Sequence, residues 1–146
     1  MSVALVGAMQ LRPADTQALE EMWMFVQRDV PRECIEACTL CEFACLACAE
    51  VCLGDVALER LGRCVRLNLD CAEVCLATRT LVSEALLAAP RLVQAQLAVC
   101  ARLCAACEAE CRRQGVIQDC FAACAQACAL CGQLCVETCE RVQNLH

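Results

Sequence analysis

Cysteine recurs in this chain at steps of three and four residues, in four separate stretches. Cys34, Cys38, Cys41, Cys45, Cys48 and Cys52 step 4, 3, 4, 3, 4. Cys64, Cys71 and Cys75 keep the same repeat, with Asn68 in the place of a fourth cysteine. Cys100, Cys104, Cys107 and Cys111 step 4, 3, 4, and Cys120, Cys124, Cys128, Cys131, Cys135 and Cys139 step 4, 4, 3, 4, 4. Residues so spaced share one face of an α-helix; a strand would alternate with a period of two. Glu36, Glu50, Arg66, Glu73, Arg102 and Glu140 fall opposite the cysteine stripes, so each helix turns thiols inward and charges outward. Gly54-Asp55, Ala89-Pro90 and Gly115 punctuate the stretches, Asp55 as an N-cap and Gly115 as a helix stop. The pattern predicts helices near 32–53, 56–87, 91–113 and 118–142. Short connections make them antiparallel neighbours. The expected fold is all-α: an up-down-up-down four-helix bundle with a cysteine-lined core.

Residues 1–30 read as an N-terminal extension and 31–146 as the bundle. Within the extension, residues 14–30, with Leu19, Met22, Trp23, Phe25 and Val26, read as a short amphipathic helix set off by Pro31. The cysteine-free stretch from Leu76 to Val99 carries Leu81, Val82, Leu86, Leu92, Val93 and Leu97. It predicts an apolar bundle end that the N-terminal helix plugs.

Composition excludes several functions. Aromatic residues make up 3% of the chain and there is no Tyr, which disfavours a β-sandwich or barrel. The net charge of −6 and the lack of a basic run leave nothing to neutralise a phosphate backbone or an anionic membrane. Charges interrupt every apolar stretch before the ~20 residues that span a bilayer. The opening residues have no positive n-region ahead of their apolar stretch, so the expected compartment is the cytoplasm, where thiols stay reduced.

The chain has 19 cysteines, an odd number that disulfides within one chain cannot pair completely. Helical neighbours also sit with Cβ atoms ~5–6 Å apart, beyond the ~3.5–4.5 Å of a disulfide. They can share a metal ion instead. Soft thiolates select Cu(I), Zn(II) or iron–sulfur clusters. The ferredoxin spacing is missing, and no Pro follows a cysteine. Cys-x-x-Cys pairs such as Cys38/Cys41, Cys45/Cys48, Cys104/Cys107 and Cys128/Cys131 fit zinc half-sites, but structural zinc uses separate sets of four ligands rather than continuous ladders. Charge favours copper. A buried negative charge must be compensated, and a monovalent ion cancels thiolates at about one per sulfur, whereas each Zn(Cys)₄ unit keeps two negative charges. The reading is many Cu(I) ions, about one per cysteine, held by all the cysteines named above. A zinc–thiolate bundle with a structural or buffering role stays open as the alternative. Enzymatic thiol chemistry is disfavoured: the Cys-x-x-Cys pairs lie mid-helix, and the single His, His146, is terminal.

The stretch Cys64-Val-Arg-Leu-Asn-Leu-Asp-Cys71-Ala-Glu-Val-Cys75 resembles the bacterial copper storage proteins. So do Cys45-Leu-Ala-Cys48-Ala-Glu-Val-Cys52 and Cys104-Ala-Ala-Cys107-Glu-Ala-Glu-Cys111. The likeness covers roughly residues 32–142, on the cytosolic branch of the family. It implies a homotetramer that stores or detoxifies cytosolic copper and exchanges it with a copper donor or acceptor. It also implies histidines near one bundle end, where this chain has Arg112-Arg113-Gln114-Gly115 instead. His146 reads as a solvated terminal residue, and Met22 and Met24 as packing residues.

Two readings of Asn68 stand: a hydrogen-bonded residue fixing register, or a side-chain oxygen serving as an accessory copper ligand. Leu40 and Phe43 fall on the outward part of the first helix and predict self-association. The expected entrance is the Gly54/Gly115 end, where Cys52, Cys111 and Cys120 would present exposed sulfur; Cys34, Cys75 and Cys139 are expected at the opposite end.

Overall fold

The computed structural model describes residues 13, 15–20, 29–54, 58–115 and 119–144. Four long helices follow one another: α1 (Asp29–Leu53), α2 (Leu58–Ala85), α3 (Pro90–Arg113) and α4 (Asp119–Gln143). Each packs against its two neighbours in the order α1, α2, α3, α4 and back to α1, which is the cyclic arrangement of a four-helix bundle. The pairs α1–α2 and α3–α4 lie in the most extensive contact. Buried alanines, Ala37 and Ala49 on α1, Ala72 on α2 and Ala125 on α4, place no bulk between neighbouring helices. On α4, a Cβ added at Gly132 would rest 3.5 Å from the Cys104 Cβ, so α3 and α4 also come together closely.

The helix ends follow local chemistry. Pro90 opens α3 in the first turn, where its missing N–H has no intrahelical partner to lose, and Ala89 before it is extended at φ −142°. Gly115 closes α3 with φ +71°, a left-handed conformation that favours glycine, and its N–H donates to the Arg112 carbonyl at 3.0 Å. The boundary expected at Pro31 is different. Helix α1 begins at Asp29 and carries Pro31 inside its first turn, a position that tolerates proline for the same reason as Pro90. Residues 15–20 are helical, and Leu19 there is 45% exposed. Met22, Trp23, Met24, Phe25, Val26, Asp55 and His146 lie outside the described residues.

The core changes character along the bundle axis. At the end where α2 turns into α3, Val82, Leu86, Val93, Leu97 and Val142 are buried, as the cysteine-free stretch predicts. Leu92 and Val99 face outward instead, because they lie off the inward stripe of α3. Above this floor come Thr78 and Thr138, each fully buried, with hydroxyls donating to the carbonyls of Val74 and Leu134 one turn back. Sulfur lines most of the remaining core, together with Asn68, Leu61 and Phe121. The charged residues expected outside, Glu36, Glu50, Arg66, Glu73, Arg102 and Glu140, are all exposed.

Candidate metal centre

The inward stripes bring cysteines of all four helices to one axis. Seventeen of the 19 are buried, and Cys120 and Cys139 are half-buried. Both exceptions lie on α4, each reached by two successive four-residue steps. Eight residues at 3.6 per turn rotate a side chain by about 80°. Cys120 is thereby turned to one side of Cys128, and Cys139 to the other side of Cys131. Cys120 still meets the column, with its sulfur 3.4 Å from that of Cys48. Cys139 leaves it: its thiol donates to the Gln94 carbonyl at 3.6 Å, and Thr138 takes the inward position. The column therefore comprises 18 thiols, all 19 less Cys139.

Within the column, sulfurs from different helices meet. Cys41 lies 3.8 Å from Cys71 and 3.7 Å from Cys128; Cys45 lies 3.6 Å from Cys124 and 4.0 Å from Cys107. Further down, Cys75 lies 3.9 Å from Cys131, Cys131 lies 3.6 Å from Cys38, and Cys34 lies 4.0 Å from Cys135. Sets of four sulfurs fall within 4.8 Å of one another, and consecutive sets share an edge. Cys38, Cys100, Cys131 and Cys135 share Cys100 and Cys131 with the set Cys75, Cys100, Cys104 and Cys131. That set shares Cys75 and Cys104 with Cys41, Cys71, Cys75 and Cys104. Cys41 and Cys71 recur with Cys45 and Cys128, and those two recur with Cys107 and Cys124. The result is a ladder of twelve sulfurs, eight of which belong to two of these sets and so can bridge two ions.

Burial and mutual hydrogen bonding set the proton affinities. Burial is the first cause that pushes Cys52 and Cys120 up to about 12, followed by the charges of Cys48 and Cys64 for Cys52 and by the hydrogen bond with Cys48 for Cys120. Hydrogen bonding with Cys111, foremost among its sulfur partners, holds Cys48 down at about 7. Cys45 is pushed up, chiefly by its hydrogen bond with Cys107, while Cys41 is pushed down, chiefly by that with Cys104. Cys139 is raised by burial and then by the Glu140 carboxylate, with no sulfur partner contributing.

The placement of the ends differs in part from expectation. At the Gly54/Gly115 end, Cys120 is the half-buried sulfur of the column, whereas Cys52 and Cys111 are buried beside Leu61 and Phe121 at the same end. Their helix-terminal position does not expose them, because the inward stripe continues to the last turn. At the floor, Cys34 and Cys135 form the lowest pair, and Cys75 lies inside the ladder. Asn68 is fully buried within the column. Sequence reasoning missed Glu110, 4% exposed at the Gly115 end of α3, which the alternation of charge and cysteine there conceals. Its carboxylate meets Arg63 of α2 at 3.5 Å and Arg113 at 3.2 Å, and accepts from Gln114 at 3.2 Å.

A family model described as copper storage protein matches residues 27–142. Among solved structures, the chain is similar to a cytosolic copper storage protein of Streptomyces lividans. With five coppers, that protein is 38% identical, covers 77% of this chain and 93% of its own, and superposes with a TM-score of 0.74. Loaded with 10 copper equivalents, it is 38% identical over 79% of this chain and 87% of its own, with a TM-score of 0.76. The Cu(I)-bound copper storage protein BsCsp3 is 31% identical, covering 75% of this chain and 97% of its own, with a TM-score of 0.65. The cysteine-rich protein YhjQ of Bacillus subtilis is 36% identical over 78 residues, 53% of this chain and 68% of its own length.

Proposed function

This chain belongs to the copper storage protein family, and on that premise we propose that it sequesters many Cu(I) ions in the 18-thiol column. The observation that carries this reading is edge sharing. Isolated Zn(Cys)₄ sites need four sulfurs each, and filling one set here takes two sulfurs from the next. Bridging Cu(I) uses those shared edges, since each thiolate can bind two ions of low coordination number. The proposed ligands are Cys34, Cys38, Cys41, Cys45, Cys48, Cys52, Cys64, Cys71, Cys75, Cys100, Cys104, Cys107, Cys111, Cys120, Cys124, Cys128, Cys131 and Cys135. Asn68 serves as an accessory and Cys139 stands apart. Each ion bound between thiols releases their protons, so the loaded column replaces S–H groups by a near-neutral array of metal and thiolate.

The bundle domain, from α1 onward, does the storing, and the residues ahead of α1 form an extension. The chain carries out no catalytic step. It works in the cytoplasm, the compartment of its Streptomyces relative, and gives or takes copper from a donor or acceptor. Copies of the chain associate: Leu40 and Phe43, 61% and 64% exposed on α1, support a homo-oligomer that covers them. A strictly monomeric mass at micromolar concentration contradicts that association. For the storage reading, the test is metal content after purification from cells supplied with both copper and zinc. Copper in excess of ten ions per chain is expected (~10–18); zinc at about four per chain would contradict it.

A further inference from the structure

The shortest sulfur–sulfur hydrogen bond among the described residues joins Cys48 of α1 to Cys120 of α4, at 3.4 Å. The remaining sulfur–sulfur contacts run from 3.6 to 4.0 Å. They join buried thiols, whereas Cys120 is half-buried at the Gly54/Gly115 end. Neighbouring thiols on a single helix are held too far apart for a disulfide, but this pair bridges two helices. Cys120 is also the second residue of α4, where backbone N–H groups have no intrahelical partner. It can therefore close the ~1.4 Å that separates this contact from a disulfide at less cost than a mid-helix cysteine. Cys139, the other half-buried thiol, donates to the Gln94 carbonyl rather than to a sulfur.

We propose that Cys48 and Cys120 form a reversible disulfide when a peroxide reaches the Gly54/Gly115 end of the empty column, and that this cross-link shuts the column to copper. The second part rests on the storage reading above. Peroxide arrives past Cys120, the half-buried sulfur. The Cys48 thiolate attacks one peroxide oxygen. An S–O bond forms, the O–O bond breaks, and the departing hydroxide takes the proton of Cys120 and leaves as water. The Cys120 thiolate then attacks the sulfur of the Cys48 sulfenic acid; the S–S bond forms, the S–O bond breaks, and hydroxide leaves. The two sulfurs give up two electrons, and the two peroxide oxygens end as water and hydroxide. Two equivalents of a small thiol reverse the step by exchange, as befits a transient disulfide of the cytoplasm. A disulfide sulfur carries no thiolate charge to offer Cu(I), so the column loses the sulfur at which solvent meets it. The other 16 thiols of the column are all buried behind the cross-link.

The test uses the reduced, metal-free, full-length protein and two variants, each verified as folded by thermal melting. The protein is treated with about one equivalent of hydrogen peroxide, alkylated and mapped by mass spectrometry. A linked peptide pair carrying Cys48 and Cys120 is expected as the main product. Anaerobic Cu(I) uptake from a chromophoric chelator, followed by stopped flow, should slow by more than about tenfold after treatment and recover with dithiothreitol. Cys120→Ser removes one partner; whatever its starting rate, peroxide should leave that rate unchanged. Cys139→Ser removes the other half-buried thiol and should cross-link and slow as the parent does. Links scattered over other pairs, or a Cys48–Cys120 link that leaves uptake unchanged, would overturn the proposal and leave storage standing. Uptake by the untreated protein that stops at about four or five ions would overturn the storage reading, and the closure of the column with it. The mapping needs no copper, so it distinguishes the two failures.

Discussion

The two ends of the bundle are made from the same four helices and differ in what fills the inward stripe. At the α2–α3 end, the stripe positions hold Val82, Val93, Leu97 and Val142, with Leu86 beside them. At the other end and through the middle they hold sulfur, with Leu61 and Phe121 as the large apolar residues near the mouth, the Gly54/Gly115 end. A buried Leu or Val removes more apolar surface from water than a thiol does, at roughly 25 cal/mol per Å². The floor is therefore built to hold the helices together and the column to accept cargo. A core that must release protons and take up ions needs sulfurs with partners close by. It also needs an anchor that contains no sulfur, and the floor supplies it.

Loading kinetics should separate the ends most strongly. Replacing Cys52, Cys111 and Cys120 by Ser should slow Cu(I) uptake by more than about tenfold while lowering capacity by only about three ions. Replacing Cys34 and Cys135 at the floor should lower capacity by about two without slowing uptake. Equal rates for the two variants in stopped flow would show that the mouth is wrongly placed. Stability should split the other way. Leu97→Ala should cost the apo protein about 2–5 kcal/mol, and Cys104→Ala about 1 kcal/mol, by denaturant melting. Similar losses would mean that the floor is no special anchor.

A smaller effect comes from pH. Burial, the leading cause, raises the Cys52 and Cys120 thiols from 9.0 to about 12. The unfolded chain ionises near 9 and the folded one only near 12, so this contribution to stability is complete below 9 and is lost as pH rises toward 12. Cys48, held at about 7, works in the opposite sense: its contribution is lost as pH falls through 7, and it is constant in the alkaline window. The apo melting temperature should fall steadily above pH ~9, while the copper-loaded protein, whose thiols have already given up their protons, should stay level. The smallest effect belongs to α2 near the mouth. A Cβ at Gly62 meets nothing within 4 Å, so Gly62→Ala should stabilise the apo bundle by about 0.5 kcal/mol through helix propensity alone.

Most of the fold was legible because one residue type marks the inward face of all four helices. Helix spans read from the stripes agree with the observed ones to within two or three residues at each end. Pro31 misled because proline punctuates a chain in general, yet the first helical turn accepts it. The site was legible down to the phase of each stripe. Cys139 was read as inward because a step of four from Cys135 is as helical as a step of three. Only the run of two fours, rotating it away while Thr138 turns in, distinguishes them. The same arithmetic accounts for the half-buried Cys120. The clasp of Glu110 by Arg63 and Arg113 was not legible, since it depends on which side of α3 meets α2. The contacts of Asn68 with four sulfurs needed distances that no spacing supplies.

An edge-sharing column of thiols should take monovalent copper at about one ion per sulfur. Anaerobic titration of the reduced protein with Cu(I) against a competing chelator, with thiols counted in the same sample, tests it directly. The expected plateau is close to 18 ions per chain, one for each thiol of the column. A plateau at about four or five ions, the number that separate four-sulfur sites would allow, would contradict it.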